Sequence, residues 1–116
     1  MTDIDILFAG IPVGDLESAA GWYERLLGRP ADVIVNDDEV MWRIADKAWM
    51  YVVRDETRAG QAIAALCVRD LDAAVQEVAG RGLTAGSVEV VGDAGRKVAF
   101  TDADGNTISL IEVRGR

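Results

Sequence analysis

One stretch of the chain decides the fold because it occurs twice. VGDLESA at residues 13–19 returns as VRDLDAA at residues 68–74, an offset of 55 residues in a chain of 116. Internal similarity at a fixed period indicates a repeated structural unit. In each copy an apolar run leads to an aspartate, Asp15 or Asp70, whose carboxylate can accept the free amide protons at the start of a helix. The chain is therefore predicted to contain two copies of one unit, each beginning with a strand and a helix.

Each predicted helix is followed by three short strands. Apolar residues recur at three- and four-residue spacing after both aspartates, and glycines end both patterns, at Gly28 and at Gly80 with Gly82. The strand candidates are residues 32–35, 39–44 and 48–53 in the first copy and residues 87–91, 97–101 and 107–113 in the second. Asp-Gly-Asn at residues 104–106 predicts a hairpin turn.

The predicted fold class is α+β, with two βαβββ modules in tandem. The modules cover about residues 1–53 and 61–116, a charged linker joins them at residues 54–60, and residues 1–116 form a single domain. Neither module can bury the helix-covered face of its sheet alone, so the two must pack together, in one chain or across a dimer. We expect a curved mixed sheet in the form of a half-barrel or cup, with the helices on the outer face.

The composition excludes several classes of function. The chain has no histidine, which excludes Ser-His-Asp and Cys-His catalysis and every metal site that uses imidazole. Its net charge of −8 argues against nucleic acid as a partner, because phosphate contacts need clustered Lys and Arg. The acidic N-terminus argues against a signal peptide. The lack of an apolar run of about 20 residues argues against a membrane partner. The single cysteine, Cys67, fits a cytoplasmic location.

Three segments resemble a known family. They are GIPVGDL at residues 10–16, WYERLLG at residues 22–28 and FTDADGNTI at residues 100–108. In these segments the chain resembles the glyoxalase/bleomycin-resistance/extradiol-dioxygenase superfamily, also called vicinal oxygen chelate (VOC) proteins. The resemblance covers essentially the whole chain and implies a single VOC domain with the fold given above. It leaves the function open, because this fold hosts isomerases, dioxygenases and drug-binding proteins.

The resemblance also implies four metal-ligand positions, two in each module. These positions hold Phe8, Met50, Ile63 and Ser109. The third position is uncertain by one residue, so that Trp49 is the alternative to Met50. None of the four side chains is a good ligand for a divalent ion, and three are apolar. Glu112 is a poor substitute, since strand alternation places it on the face opposite Ser109. The resemblance therefore implies a member with no metal, no other cofactor and no catalytic residue of the family type.

Strand alternation predicts which side chains line the concave face of the sheet. If Phe8 lies on that face, Gly10 shares it, and Ile63, Cys67 and Ser109 line the same concavity from the second module. Met50 is expected there with Ala48 and Val52, and Trp42 is expected as a ligand wall. For Trp49 and Tyr51, a position in the groove and a position in the core are both left open. Cys67 is expected to be a buried, inert thiol. The candidate ligand-binding residues are Phe8, Trp42, Met50, Ile63, Cys67 and Ser109.

Three functions are compatible with this pattern. The first is a metal-free protein that binds a hydrophobic or aromatic small molecule, as the antibiotic-sequestering members of the superfamily do. The acidic loop at residues 37–39 makes a cationic ligand a minority alternative. The second is a glyoxalase-like enzyme, of the lyase or dioxygenase type, with a divergent or absent metal site. The third is an accessory domain whose groove is filled. A homodimer is expected, as in other members of this fold.

Overall fold

The βαβββ order appears twice in the structure, a computed structural model that describes residues 2–93 and 95–113. The first module consists of β1 (Leu7–Val13), α1 (Leu16–Leu27), β2 (Val33–Asn36), β3 (Glu39–Ala45) and β4 (Ala48–Arg54). The second consists of β5 (Ile63–Cys67), α2 (Leu71–Gly80), β6 (Val88–Val91), β7 (Gly95–Thr101) and β8 (Thr107–Val113). The predicted α+β class with tandem modules is confirmed. Residues 1, 94 and 114–116 of the predicted modules lie outside the described residues.

Both helices begin and end where the sequence predicts. The Asp15 carboxylate accepts a hydrogen bond from the Ser18 N–H at 3.3 Å, and Asp70 accepts one from Ala73 at 3.1 Å. Gly28 ends α1 in the left-handed region, with φ of 85°, a conformation in which a side chain would be strained. Within the described residues, neither helix is long and apolar enough to cross a membrane.

The strands form two separate four-stranded sheets. Sheet A has the order β1-β4-β3-β2 and sheet B has the order β5-β8-β7-β6. In each sheet the first strand runs parallel to the last strand of its module, and the other pairs are antiparallel. The registers correspond as well: Gly10 lies opposite Tyr51 in sheet A, and Ala65 lies opposite Ser109 in sheet B.

One hydrophobic core is shared by both helices and by one face of each sheet. Its members include Ile11 and Val52 from sheet A, Tyr23 from α1, and Phe100 and Ile108 from sheet B. We call these buried faces the covered faces and the other two the open faces. The two sheets are open and do not close into a barrel, in agreement with the predicted half-barrel or cup.

A buried polar cluster links the two modules. The Tyr23 hydroxyl donates to Asp102 Oδ2 at 2.7 Å, and Asn106 Nδ2 donates to the Pro12 carbonyl at 2.7 Å. Asn106 Oδ1 accepts the Ala62 N–H at 2.9 Å. Burial, followed by the hydrogen bond to Asp102, raises the pKa of Tyr23 far above its ordinary value, so the phenol stays a donor. The residues of the predicted hairpin turn thus hold α1, β1 and the start of β5 together.

Candidate functional site

Three aromatic side chains lie along the open face of sheet A. Phe8 and Trp49 are direct partners in the β1–β4 pair, and their rings stack with centroids 6.2 Å apart and an interplanar angle of 16°. Tyr51 follows two residues after Trp49 and so lies on the same face. We call Phe8, Trp49 and Tyr51 the aromatic strip. Phe8 is 52 % exposed, so the strip is accessible to a ligand.

The position of the Tyr51 ring depends on Gly10. A Cβ atom on Gly10 would lie 2.4 Å from Tyr51 Cζ and 2.6 Å from its hydroxyl oxygen. These distances are far inside van der Waals contact, so the ring lies directly on the backbone of β1. Only glycine at residue 10 permits this arrangement, which keeps the Tyr51 ring flat against the sheet.

The open face of sheet B carries smaller side chains. Alternation from Ile63 places Ala65 and Cys67 on this face, and their β8 partners are Thr107, Ser109 and Ile111. Ile63 is 88 % exposed, and Cys67 is also exposed. The face is apolar with two hydroxyl groups and one thiol. The expectation of a buried thiol is wrong, because Cys67 lies near the free edge of its sheet.

Two of the candidate ligand-binding residues lie on the wrong face. Trp42 and Met50 are partners in the β3–β4 pair, and both belong to the covered face, with 1 % and 2 % exposure. Trp42 Nε1 donates to the Arg29 carbonyl at 2.9 Å, which anchors the ring within the core. The same correction applies to Ala48 and Val52, which share the face of Met50.

The cause is an error of one residue in the alignment of β4. A shift of one residue moves every side chain of a strand to the opposite face. Phe8 pairs with Trp49, so Trp49 and Tyr51 lie on the open face and Met50 does not. The 55-residue repeat could not have corrected the error by itself. Gly10 and Ala65 are 55 residues apart, but their partners Tyr51 and Ser109 are 58 residues apart, so their equivalence is seen only in the strand registers.

The remaining candidates lie at open-face positions of two different sheets, and Ser109 is buried there, with 8 % exposure. Phe8 lies on sheet A, whereas Ile63, Cys67 and Ser109 lie on sheet B. A role of these four residues in ligand binding stays a prediction.

The residues at the family's metal-ligand positions do not fit a metal ion. The positions that the resemblance implies hold Phe8, Met50 or Trp49, Ile63 and Ser109, and none of these side chains supplies a carboxylate, imidazole or thiolate. Over the ranges 2–93 and 95–113, no three His, Cys, Asp or Glu side chains gather in one place.

Glu112 cannot replace them. It lies on the covered face as expected, where its Oε1 accepts the Leu71 N–H at 3.1 Å and its Oε2 accepts a hydrogen bond from Arg96 at 3.0 Å. These two donors lower the pKa of Glu112. The carboxylate therefore acts as a structural partner of α2.

One of the three acids in the loop at residues 37–39 is compensated by a neighbouring cation. Asp38 Oδ1 accepts a hydrogen bond from Arg54 Nε at 2.8 Å, and this contact raises the pKa of Arg54. The charge of Asp38 is thus compensated by a neighbour within its own sheet. This weakens the argument that the loop attracts a cationic ligand.

Comparison with known proteins identifies the family. The model of the Glyoxalase/Bleomycin resistance protein/Dioxygenase superfamily matches residues 5–110. This match covers most of the chain, and the chain belongs to that superfamily. No curated protein matches the sequence significantly.

Solved structures agree with this assignment. A glyoxalase/bleomycin resistance protein from Catenulispora acidiphila DSM 44928 is 36 % identical with a TM-score of 0.87, over 93 % of this chain and 97 % of that one. TnmS3, an antibiotic-binding protein from Streptomyces sp. CB03234, is 22 % identical with a TM-score of 0.77, over 97 % and 98 %. A bleomycin-binding protein complexed with bleomycin is 21 % identical with a TM-score of 0.76, over 94 % and 98 %. The last two likenesses establish the fold alone.

Proposed function

We propose that this protein binds a planar, apolar small molecule without a metal ion and without chemical turnover. The observation that carries the proposal is the aromatic strip, where the rings of Phe8 and Trp49 stack on the open face of sheet A and Phe8 is half exposed. Two of the similar structures, TnmS3 and the bleomycin-binding protein, are described as antibiotic-binding and bleomycin-binding proteins. Capture of a drug-like molecule is the activity that this site supports best.

The chemistry of the open faces indicates the class of ligand. Each good aromatic pair contributes about 0.5–1.5 kcal/mol beyond the burial of its area, so a planar ring system gains most from the strip. On sheet B the half-buried Thr107 adds a neutral hydroxyl group. We favour an uncharged aromatic ligand over a cationic one, because Arg54 already compensates Asp38.

We further propose that the site is completed in a homodimer. β1 and β5 are end strands of their sheets, so one edge of each has unpaired backbone groups. The two open faces also differ in a complementary way. At equivalent positions sheet A has Tyr51 where sheet B has Ser109. The large side chains of one copy can therefore face the small side chains of its partner and enclose a ligand between them.

A ligand screen tests the proposal. Thermal shift against quinone, glycopeptide and peptide antibiotics should identify a binder, and its Kd is then measured with two variants. Trp49→Ala should weaken binding about tenfold, which corresponds to ~1.4 kcal/mol. Ile34→Ala is the matched control, since Ile34 is 78 % exposed on β2, away from the strip. A binder whose Kd is the same in wild type and Trp49→Ala would contradict the proposed site.

The alternative is a glyoxalase-like enzyme. The observation in its favour is that the exposed thiol of Cys67 and the hydroxyl of Ser109 share the open face of sheet B. Elemental analysis of protein purified from its cell, combined with an assay for lyase and dioxygenase activity, separates the two functions. A stoichiometric transition metal with turnover would favour the enzyme. A cytoplasmic location stays a prediction, supported by the free thiol of Cys67.

A further inference from the structure

A cavity lies between the open face of sheet A and the linker that joins the modules. It measures about 260 Å³, and its sheet wall is formed by Gly10, Pro12, Tyr51 and Val53. Its other wall is formed by Asp55, Arg58, Gln61 and Ala62. The cavity therefore begins at Tyr51, where the aromatic strip ends. A ligand stacked on the strip has this space directly beside it.

Backbone hydrogen bonds hold the linker in place at both ends. The Asp55 N–H donates to the Val13 carbonyl at 2.9 Å, and directly after the linker the Ala62 carbonyl accepts a hydrogen bond from the Thr107 N–H at 3.0 Å. At Gly60, where φ is 85°, a Cβ atom would lie 2.2 Å from the Asp104 carbonyl oxygen. The linker is thus fixed against the second module, and the wall that it forms is preorganised rather than assembled by a ligand.

The polar groups of the cavity can both donate and accept hydrogen bonds, and their charges balance. Gln61 supplies a carboxamide, and Tyr51 supplies a hydroxyl group. The only charged groups in the lining, Asp55 and Arg58, pair with each other at 3.1 Å. A charged substituent finds no uncompensated partner there, whereas a substituent with several neutral hydroxyl groups finds donors and acceptors.

We propose that this cavity is a subsite for an uncharged, polyhydroxylated substituent, such as a sugar, attached to the aromatic ligand. The subsite rests on the proposed function, because the aromatic part of the ligand must lie on the strip. The linker then acts as a specificity element in addition to joining the modules. Gln61, which directly follows the linker, is the main recognition residue of the subsite, since the Gln61 side chain is exposed and forms part of the cavity wall.

A matched pair of coumarins tests the subsite. The probes are 7-methoxy-4-methylcoumarin and 4-methylumbelliferyl β-D-glucoside, which share a planar ring and differ by an uncharged sugar. Calorimetric titration should give a Kd about tenfold lower for the glucoside with wild-type protein. In Gln61→Ala the ratio of the two Kd values should fall towards one. Gln76→Ala on α2 is the matched control and should keep the wild-type ratio.

The possible outcomes separate the two proposals. Equal Kd values for the two coumarins in wild-type protein would overturn the subsite and leave the aromatic site standing. A tenfold preference for the glucoside that survives in Gln61→Ala would also overturn it, because the preference would then arise elsewhere. If neither coumarin binds, the aromatic strip does not accept planar rings, and the proposed function falls together with the subsite.

Discussion

At the scale of single residues, the buried polar side chains depend on particular hydrogen-bond partners, whereas the apolar side chains of the core do not. Asn106 is fully buried, and its carboxamide contacts the end of β1, the start of β5 and Asp102 within its own turn. Neutral hydrogen bonds of this kind have their largest effect when one partner is lost, because the other partner is then buried without a replacement. Asn106 is therefore expected to fix the orientation of the two modules.

Replacement of Asn106 tests this role. Asn106→Ala leaves the Ala62 N–H and the Pro12 carbonyl without their partner, and it should lower the free energy of unfolding by about 3 kcal/mol. Asn36→Ala is the control, since Asn36 is exposed in the β2–β3 turn, and its cost should stay below about 1 kcal/mol. Urea unfolding measures both values. Similar losses in the two variants would contradict the role assigned to Asn106.

The residue scale also shows what the sequence could and could not predict. The caps at Asp15 and Asp70 and the stop at Gly28 are local, because the chemistry that determines them lies within a few residues. The faces of Trp42 and Met50 depend instead on the register between β1 and β4, strands that are far apart in the chain. Periodicity shows that successive side chains of a strand lie on opposite faces, but it does not show which set faces the core. An error of one residue in β4 therefore assigned core side chains to the site and site side chains to the core. The cavity at Gln61 was missed because no pattern in a charged linker indicates a pocket.

At the scale of elements, the glycine within α1 and the glycine at its C-terminal cap have opposite expected effects. Gly28 has φ of 85°, where a side chain costs about 1–2 kcal/mol, so Gly28→Ala should destabilise the protein by roughly this amount. Gly21 lies within α1, and a Cβ atom there would meet nothing within 4 Å. Gly21→Ala should therefore stabilise the protein by up to about 1 kcal/mol. Thermal unfolding of both variants measures the signs, and shifts in the same direction would contradict this account of α1.

The hydrogen bond between Glu112 and the start of α2 should make the free energy of unfolding depend on pH. The pKa of Glu112 lies below its ordinary 4.5, chiefly because the Leu71 N–H and then Arg96 stabilise the carboxylate. Its contribution to stability is therefore complete above about pH 4.5 and is lost as the pH falls through the lower pKa of the folded state. Glu112→Gln keeps an acceptor for Leu71 but removes the charge.

We expect the Tm difference between wild type and Glu112→Gln to be larger at neutral pH than in strong acid. Gln76→Ala, on the exposed side of α2, removes no titratable group; it is the control and should show the same difference under both conditions. Equal differences for Glu112→Gln at the two pH values would show that the ion pair with Arg96 does not contribute to stability.

At the scale of the whole molecule, the open faces account for both the proposed assembly and the proposed binding. Ile63 is 88 % exposed at the free edge of sheet B, although it is a large aliphatic side chain. The proposed homodimer would cover it. Light scattering should give twice the monomer mass of 12.4 kDa for wild type. Ile63→Asp should give a monomer, and the Tm of this monomer should equal that of the wild-type monomer. Ile34→Asp on β2 should stay dimeric. A wild-type monomer at all concentrations would contradict the dimer.

The central claim is that the aromatic strip binds a planar ligand without a metal ion. Trp49 reports on it directly in the double variant Trp22→Phe/Trp42→Phe, where it is the only tryptophan left. Titration with a planar antibiotic that binds in the thermal-shift screen should quench Trp49 fluorescence to saturation, with the same Kd in EDTA and in added Zn²⁺ or Mn²⁺. A Trp49 signal that does not change on ligand addition, or that changes only when metal is supplied, would contradict the account.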